Sequence, residues 1–169
     1  MFCHLIRPGS RDDFALNGHN KRPPADLVNA LMSFAYTLLT HEIASSQQAV
    51  GLDPYVGFMH RDRPGRLSLA LDMLEEFRAW WCDRFILSLV DRKQLSIGDF
   101  KTEATGGVRL DDESRKKFLI AWQERKQTLL MHPYTGENTP VGLLPHVQSM
   151  LLVRYIPGDI DIYPPFTSK

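Results

Sequence analysis

Gly51-Leu-Asp-Pro-Tyr-Val-Gly-Phe-Met-His60 leads through Arg61, Arg63 and Arg66 into Ser68-Leu-Ala-Leu-Asp72-Met-Leu-Glu75-Glu76-Phe77. The first half is a loop punctuated by glycine and proline, with a histidine at its end. The second half opens a helix at Ser68, a residue suited to cap it. Leu69, Leu71, Leu74, Phe77, Trp80, Trp81, Phe85 and Leu89 then make that helix apolar nearly all round to about Val90, which predicts a central, buried element. Three acids occupy its early turns and three arginines precede it. Imidazole with carboxylates suits a divalent metal, and neighbouring guanidiniums suit phosphate, so the stretch reads as a metal-dependent phosphodiester site.

Outward from this centre the pattern remains helical. Asp26 can cap a helix carrying Leu27, Leu31, Phe34, Ala35 and Leu38 to about Val50, which Gly51 ends. Phe100 to Thr105 followed by Gly106-Gly107-Val108-Arg109-Leu110 suggests a short hairpin. Asp111 and Asp112 cap a third long helix bearing Phe118, Leu119, Trp122 and Leu129/Leu130. After Pro133, Gly136 and Pro140 a last helix runs from about Pro145 to Arg154, and the tail to Phe166 is extended and packed by its aromatics. Residues 1–25 read as an irregular segment. The fold class is mostly α, with residues 26–169 as one helical domain.

At 169 residues, 43% of them hydrophobic, the chain can bury a sizeable core. Formal net charge is zero, so nucleic-acid binding must come from local clusters of charge. Cys3 and Cys82 make neither a disulfide framework nor a metal pair, which fits a reducing compartment. Arg84 and Asp91 interrupt the longest apolar run, so no membrane span is expected, and the location expected is cytoplasmic.

Asp72 and Glu75, three residues apart on a helix, can address one ion while Leu71 and Leu74 face the core. Hard oxygen ligands favour Mg2+ or Mn2+, and an imidazole shifts the balance towards manganese. A plainer reading stands beside this one. Acids in the first turns are favoured by the helix dipole without any metal, and a histidine before a turn commonly caps or packs. Arg61, Arg63 and Arg66 are a solvated loop or a phosphate clamp. Arg115, Lys116, Lys117, Arg125 and Lys126 read as a wet helix face.

Asn29-Ala-Leu-Met-Ser-Phe-Ala-Tyr-Thr-Leu-Leu, Gly51 to His60, Ser68 to Glu75, Phe14-Ala-Leu-Asn17-Gly-His-Asn-Lys-Arg-Pro-Pro and Gly142-Leu-Leu-Pro-His-Val-Gln148 through Asp161-Ile-Tyr-Pro-Pro-Phe166 together resemble one family. It is CRISPR-associated protein one, the DNA endonuclease/integrase of spacer acquisition. The resemblance implies an all-helical catalytic domain that binds magnesium or manganese through a glutamate, a histidine and a second acid. His60 matches the histidine, Glu75 the second acid, and Asp72 a nearby acid that supports the site or shares the metal. It further implies attack of a prespacer 3′-hydroxyl on a repeat-end phosphodiester, with Arg61, Arg63 and Arg66 as DNA contacts. The partners it implies are DNA (prespacer and CRISPR repeat), a second copy in a homodimer, and the smaller adaptation subunit.

Two departures qualify the match. The family's β-rich N-terminal domain is absent, and no Glu-Gly dipeptide precedes Phe14, where the family's first metal-ligand glutamate belongs. Glu42 is the only glutamate before His60, and it does not match that motif. The expectation is therefore the C-terminal portion of such an enzyme. Its alternatives are a catalytically inactive truncated remnant that acts at most as a DNA-binding helical module, and an unrelated helical adaptor.

Overall fold

Helix α1 (Leu27–Ala49), the first element of the computed structural model, ends where Gly51 takes a positive φ of 86° and Leu52 turns back to donate to the Gln47 carbonyl. The structure describes residues 27–61, 63–104 and 106–167; the segment expected at 1–25 and the Asp26 cap lie outside them. After α1 come α2 (Ser68–Phe77), a π-helical stretch (Arg78–Asp83), α3 (Arg84–Asp91), strands β1 (Phe100–Thr102) and β2 (Val108–Leu110), and α4 (Asp112–Gln127). Strands β3 (Leu129–Met131) and β4 (Asn138–Pro140) and helix α5 (Leu144–Tyr155) complete the order. The fold is mostly α, as the pattern requires.

The chain divides into two compact units. One takes α1 up to Ala35 together with Trp81–Gln123. Its core is aromatic: Trp81 stacks on Trp122 at 5.3 Å, while Phe85 meets both Phe118 and Trp122 edge-on at 5.2 Å. Such pairs add to the burial of large rings. Strands β1 and β2 pair antiparallel with Phe100 opposite Leu110, so the expected hairpin is present. Asp111 accepts the Ser114 amide at 2.8 Å and caps α4.

The other unit takes Tyr36–Trp80 and the chain from Glu124 onward. Leu39, Ile43, Met73, Leu74, Phe77, Leu144, Leu151 and Leu152 fill its core. Phe166, near the chain's end, closes it against Phe77 at 5.2 Å and Trp80 at 5.1 Å, which realises the expected packed tail. Among the described residues no helix is long and apolar enough to cross a membrane.

Three local readings are corrected. The helix from Ser68 runs on through a π-helical stretch rather than as one regular α-helix. Residues apolar on every side leave no stripe from which an i→i+5 register can be read. Leu129 and Leu130 belong to β3, because the Thr128 amide turns back to Arg125 and the chain reverses at Gly136 to pair β3 with β4. Ser68 is the first helical residue rather than the cap. Its hydroxyl donates to the Arg61 carbonyl, and the Pro54 carbonyl accepts the Leu69 and Ala70 amides at 3.0 and 3.4 Å.

Candidate functional site

The Pro54 contact ties the 51–67 loop to the start of α2, and Asp53 tightens it by accepting the Tyr55 amide at 3.0 Å. The loop then passes so close to α2 that a Cβ at Gly57 would sit 2.8 Å from both Asp72 Oδ2 and Ser68 Cβ. Only glycine allows that approach. Beyond Gly57, three successive backbone amides converge on one carboxylate. Phe58 and Met59 donate to Asp72 Oδ2 at 2.6 and 3.0 Å, and His60 donates to Oδ1 at 3.0 Å.

The His60 ring completes the cluster, with Nδ1 2.5 Å from Asp72 Oδ1. The Asp72 side chain is 2% exposed and that of His60 29%. Burial pushes the Asp72 carboxyl up, but the Met59 amide, the His60 ring and the Phe58 and His60 amides together outweigh it and hold it below its ordinary value. An ionised Asp72 accepts, so His60 Nδ1 carries the proton and Nε2 keeps its lone pair in the neutral ring. A carboxylate-backed imidazole of this kind is how proteins fix a metal-binding histidine.

Glu75 follows one turn later, exposed, and accepts from Arg78 Nη1 at 3.2 Å, while the Arg78 guanidinium lies over the Tyr36 ring. An exposed pair of this type is worth at most about 1 kcal/mol, so Glu75 can exchange partners. The sequence-predicted acids thus differ: Asp72 is buried and saturated, and Glu75 is at the surface. Both edge one cavity of about 500 Å³, with Phe58, Met59 and Leu69 on the same rim. Among the described residues no group of three His, Cys, Asp or Glu side chains is arranged to hold a metal ion. By donor type alone, His60 Nε2 and the Glu75 carboxylate are groups that a divalent cation accepts as ligands.

Arg61 and Arg63 are exposed and Arg66 is half-buried, and the Arg66 amide closes a turn on the Arg63 carbonyl in the segment that follows His60. Within the described residues no ion pair engages them, unlike Lys117, which bridges Glu113 and Asp99, or Arg125, which lies over Trp80. Glu42 bonds Lys126 Nζ at 3.0 Å.

One acid was counted in the sequence among the three of the early turns but was given no role. Glu76 accepts from Phe166 N–H at 2.7 Å, Gln148 Nε2 at 2.8 Å and Tyr163 Oη at 2.8 Å. Gln148 Oε1 in turn faces His132 Nε2 at 3.2 Å. Nothing in a Glu75-Glu76 doublet reveals that its second member turns inwards.

The mostly helical fold agrees with what the comparisons with known proteins show. The family model described as CRISPR-associated protein Cas1 matches residues 1–124. A CRISPR-associated endonuclease Cas1 of Chlorobaculum tepidum is 56% identical over 90% of this chain and 45% of its own length. One of Rhodospirillum rubrum is 52% identical over the whole chain and 49% of its own length. Among solved structures, a Cas1 protein of Thermotoga maritima superposes with a TM-score of 0.80 at 25% identity, over all of this chain and half of that one. A casposase bound to its integration product superposes at 0.85 with 20% identity, over 99% of this chain and 50% of that one, a likeness of fold. The chain belongs to the Cas1 family. It spans about half the length of the curated relatives it matches.

Proposed function

We propose that the chain carries the metal-dependent DNA endonuclease/integrase chemistry of CRISPR spacer acquisition, with His60 and Glu75 as metal ligands and Asp72 as the carboxylate that holds the His60 ring. The observation that supports this most is the Asp72 cluster, which leaves His60 Nε2 as the ring's available nitrogen. The names of the curated relatives, CRISPR-associated endonucleases, point the same way. Mg2+ or Mn2+, when bound there, supplies charge stabilisation at phosphorus and lowers the pKa of an attacking water or hydroxyl.

The chain's own groups do the rest. Asp72 fixes the ring's tautomer and direction. Arg61, Arg63 and Arg66 meet the phosphates on either side of the scissile bond. In the integrase direction a prespacer 3′-hydroxyl oxygen bonds to the repeat-end phosphorus. The bridging P–O3′ bond breaks, and the leaving oxygen takes up a proton. One solved neighbour is a complex that contains Cas1 with Cas2, and a casposase of the same fold is bound to its integration product. The partners proposed for this chain are accordingly prespacer and repeat DNA, the smaller adaptation subunit and a second copy.

Manganese titration followed by electron paramagnetic resonance, with cleavage of branched DNA in parallel, tests the reading. The chain is assayed alone and mixed with the N-terminal portion of a full-length relative. Loss of manganese binding and cleavage in both His60→Ala and Glu75→Ala is expected; activity indifferent to both substitutions sinks the assignment.

A second reading is a DNA-binding helical module without catalysis. The lack of a three-donor group among the described residues favours it. Binding that weakens steeply with salt, without cleavage under any metal, would select it.

A further inference from the structure

The tail that ends the described chain is held by side chains rather than by backbone pairing. The Gln148 amide donates to the Pro164 carbonyl at 3.1 Å, to Tyr163 Oη at 2.9 Å and to Glu76 Oε2 at 2.8 Å. Tyr163 Oη donates onward to Glu76 Oε1, and the Phe166 amide reaches Oε2. Phe166 itself plugs between Phe77, Trp80 and His132. Tyr163, Pro165, Phe166 and Thr167 then form the wall of the 500 Å³ cavity that faces Asp72 and Glu75. Glu76 is therefore the point where the strap meets the helix that carries the candidate ligand.

Both oxygens of Glu76 act here as acceptors. A glutamine in the same place keeps one of the two acceptors and the shape of the side chain. A glutamine can keep its carbonyl oxygen on Phe166 N–H and the Gln148 amide. Its own NH2 then faces Tyr163 Oη, which already accepts from the Gln148 amide, so the Tyr163 hydroxyl loses its acceptor and that one contact weakens.

We propose that Glu76 is a positioning residue that latches the Tyr163–Phe166 strap, and that the latched strap is the substrate-side wall of the site at Asp72 and Glu75. This rests on the reading of that site as the DNA-processing centre. The latch works through acceptor geometry, so its requirement is for shape and hydrogen bonding rather than for a charge. A metal ligand or general base at the same position would require the carboxylate.

Hydrogen exchange at the Phe166 amide and steady-state cleavage of DNA in manganese separate the alternatives in the full chain, comparing wild type with Glu76→Gln, Glu76→Leu and Tyr163→Phe. Glu76→Gln is expected to keep both properties within a few-fold of wild type. Glu76→Leu is expected to lose about tenfold or more of Phe166 protection and to raise KM by a similar factor, with a smaller effect on kcat. Tyr163→Phe, which removes one hydroxyl and no volume, should give an intermediate loss and decides the matter if the leucine variant does not fold. Cleavage by Glu76→Gln as poor as by Glu76→Leu overturns the proposal, because the acceptor that glutamine keeps for the Phe166 and Gln148 amides would then count for nothing. Unchanged Phe166 protection in Glu76→Leu or Tyr163→Phe overturns it as well. Wild-type chain that neither binds manganese nor cuts DNA overturns the reading of the site and the strap's substrate-side role with it. The exchange data need neither metal nor DNA, so they show in that case whether the latch itself failed.

Discussion

Asp72 and Glu76 stand one turn apart on α2, and each gathers a stretch of chain that has no regular structure of its own, Glu76 with the help of Gln148 on α5. Asp72 collects three consecutive amides and a ring from 12 to 14 positions upstream. Glu76 collects groups that lie 72 to 90 positions downstream. The outcomes for the two carboxyls are opposite. Donors outweigh burial at Asp72 and hold it low, whereas burial outweighs donors at Glu76 and pushes it up. Charge is thus built into the loop side of the helix and acceptor geometry into the strap side. Glu75, between them, is left at the surface.

The largest effect expected is on His60. His60→Ala should lower manganese affinity and DNA cleavage by about a hundredfold or more, since it removes a ligand rather than adjusting one. Asp72→Asn should come next, at roughly 10- to 100-fold in manganese affinity, because a lost outer-shell carboxylate releases the ring it orients. An asparagine also turns an NH2 towards the amides of Phe58 and Met59 or towards His60. The stability lost should be about 1–3 kcal/mol in a denaturant titration. If Asp72→Asn proves as mild as Glu76→Gln, the contrast between the two carboxyls is broken.

Gly57→Ala probes the loop side without touching a charge. The added methyl meets Asp72 Oδ2 and Ser68 Cβ, each 2.8 Å away, and neither can retreat without moving helix α2. A loss of about 1–3 kcal/mol is expected, with manganese affinity falling as well because the His60 amide shares the disturbed carboxylate. A variant of unaltered stability would mean that the loop does not pass so close to α2.

How much of this was readable in advance depends on how far apart the partners are. The apolar period around Leu69–Phe77 identified α2, and Gly51, Pro54 and Gly57 marked the loop. His60 and Asp72 are near enough in sequence for their chemistry to be paired by inspection. Their division of labour was not readable, since it depends on which acid turns inwards. Asp72 was placed with Glu75 on one accessible face, yet it is buried. Glu76 was given no role because its partners arrive from the far end of the chain, and a sequence does not say which distant donor fills a pocket. Leu129 and Leu130 were drawn into α4 because they continue the spacing of Trp122. The turn at Gly136 and the pairing of His132 with Glu137 outweighed that spacing.

A smaller effect is expected behind the strap, at His132. Burial pushes its pKa below 6.5, only partly offset by Gln148. The Tyr134 and Thr135 amides both point at Nδ1, which must be unprotonated to accept them. The unfolded chain therefore binds a proton at higher pH than the folded one. The stabilisation is complete above 6.5 and is lost as pH falls through the lowered folded value. Denaturation at pH 7.5 and pH 5.5 checks this: wild type should lose more stability between the two than His132→Gln does. Equal losses would place the acid sensitivity elsewhere, on the loop side.

The smallest effect is expected at Glu42, the one glutamate upstream of His60 and hence the natural candidate for a further ligand within the chain. Its Oε1 is bonded at 3.0 Å to Lys126 Nζ, and both side chains are about a quarter exposed. The lysine stem packs so closely on Gly142 that a Cβ there would meet Lys126 Cε at 2.9 Å. A lysine so placed keeps the carboxylate occupied, and a partly solvated pair of this kind contributes at most about 1 kcal/mol. Glu42→Gln should therefore shift the denaturation midpoint slightly and leave manganese affinity untouched. A tenfold fall in that affinity would instead bring Glu42 into the cation's donor set. The loop side of α2 would then hold three donors, and the contrast with Glu76 would sharpen into one between a charged site and its uncharged wall.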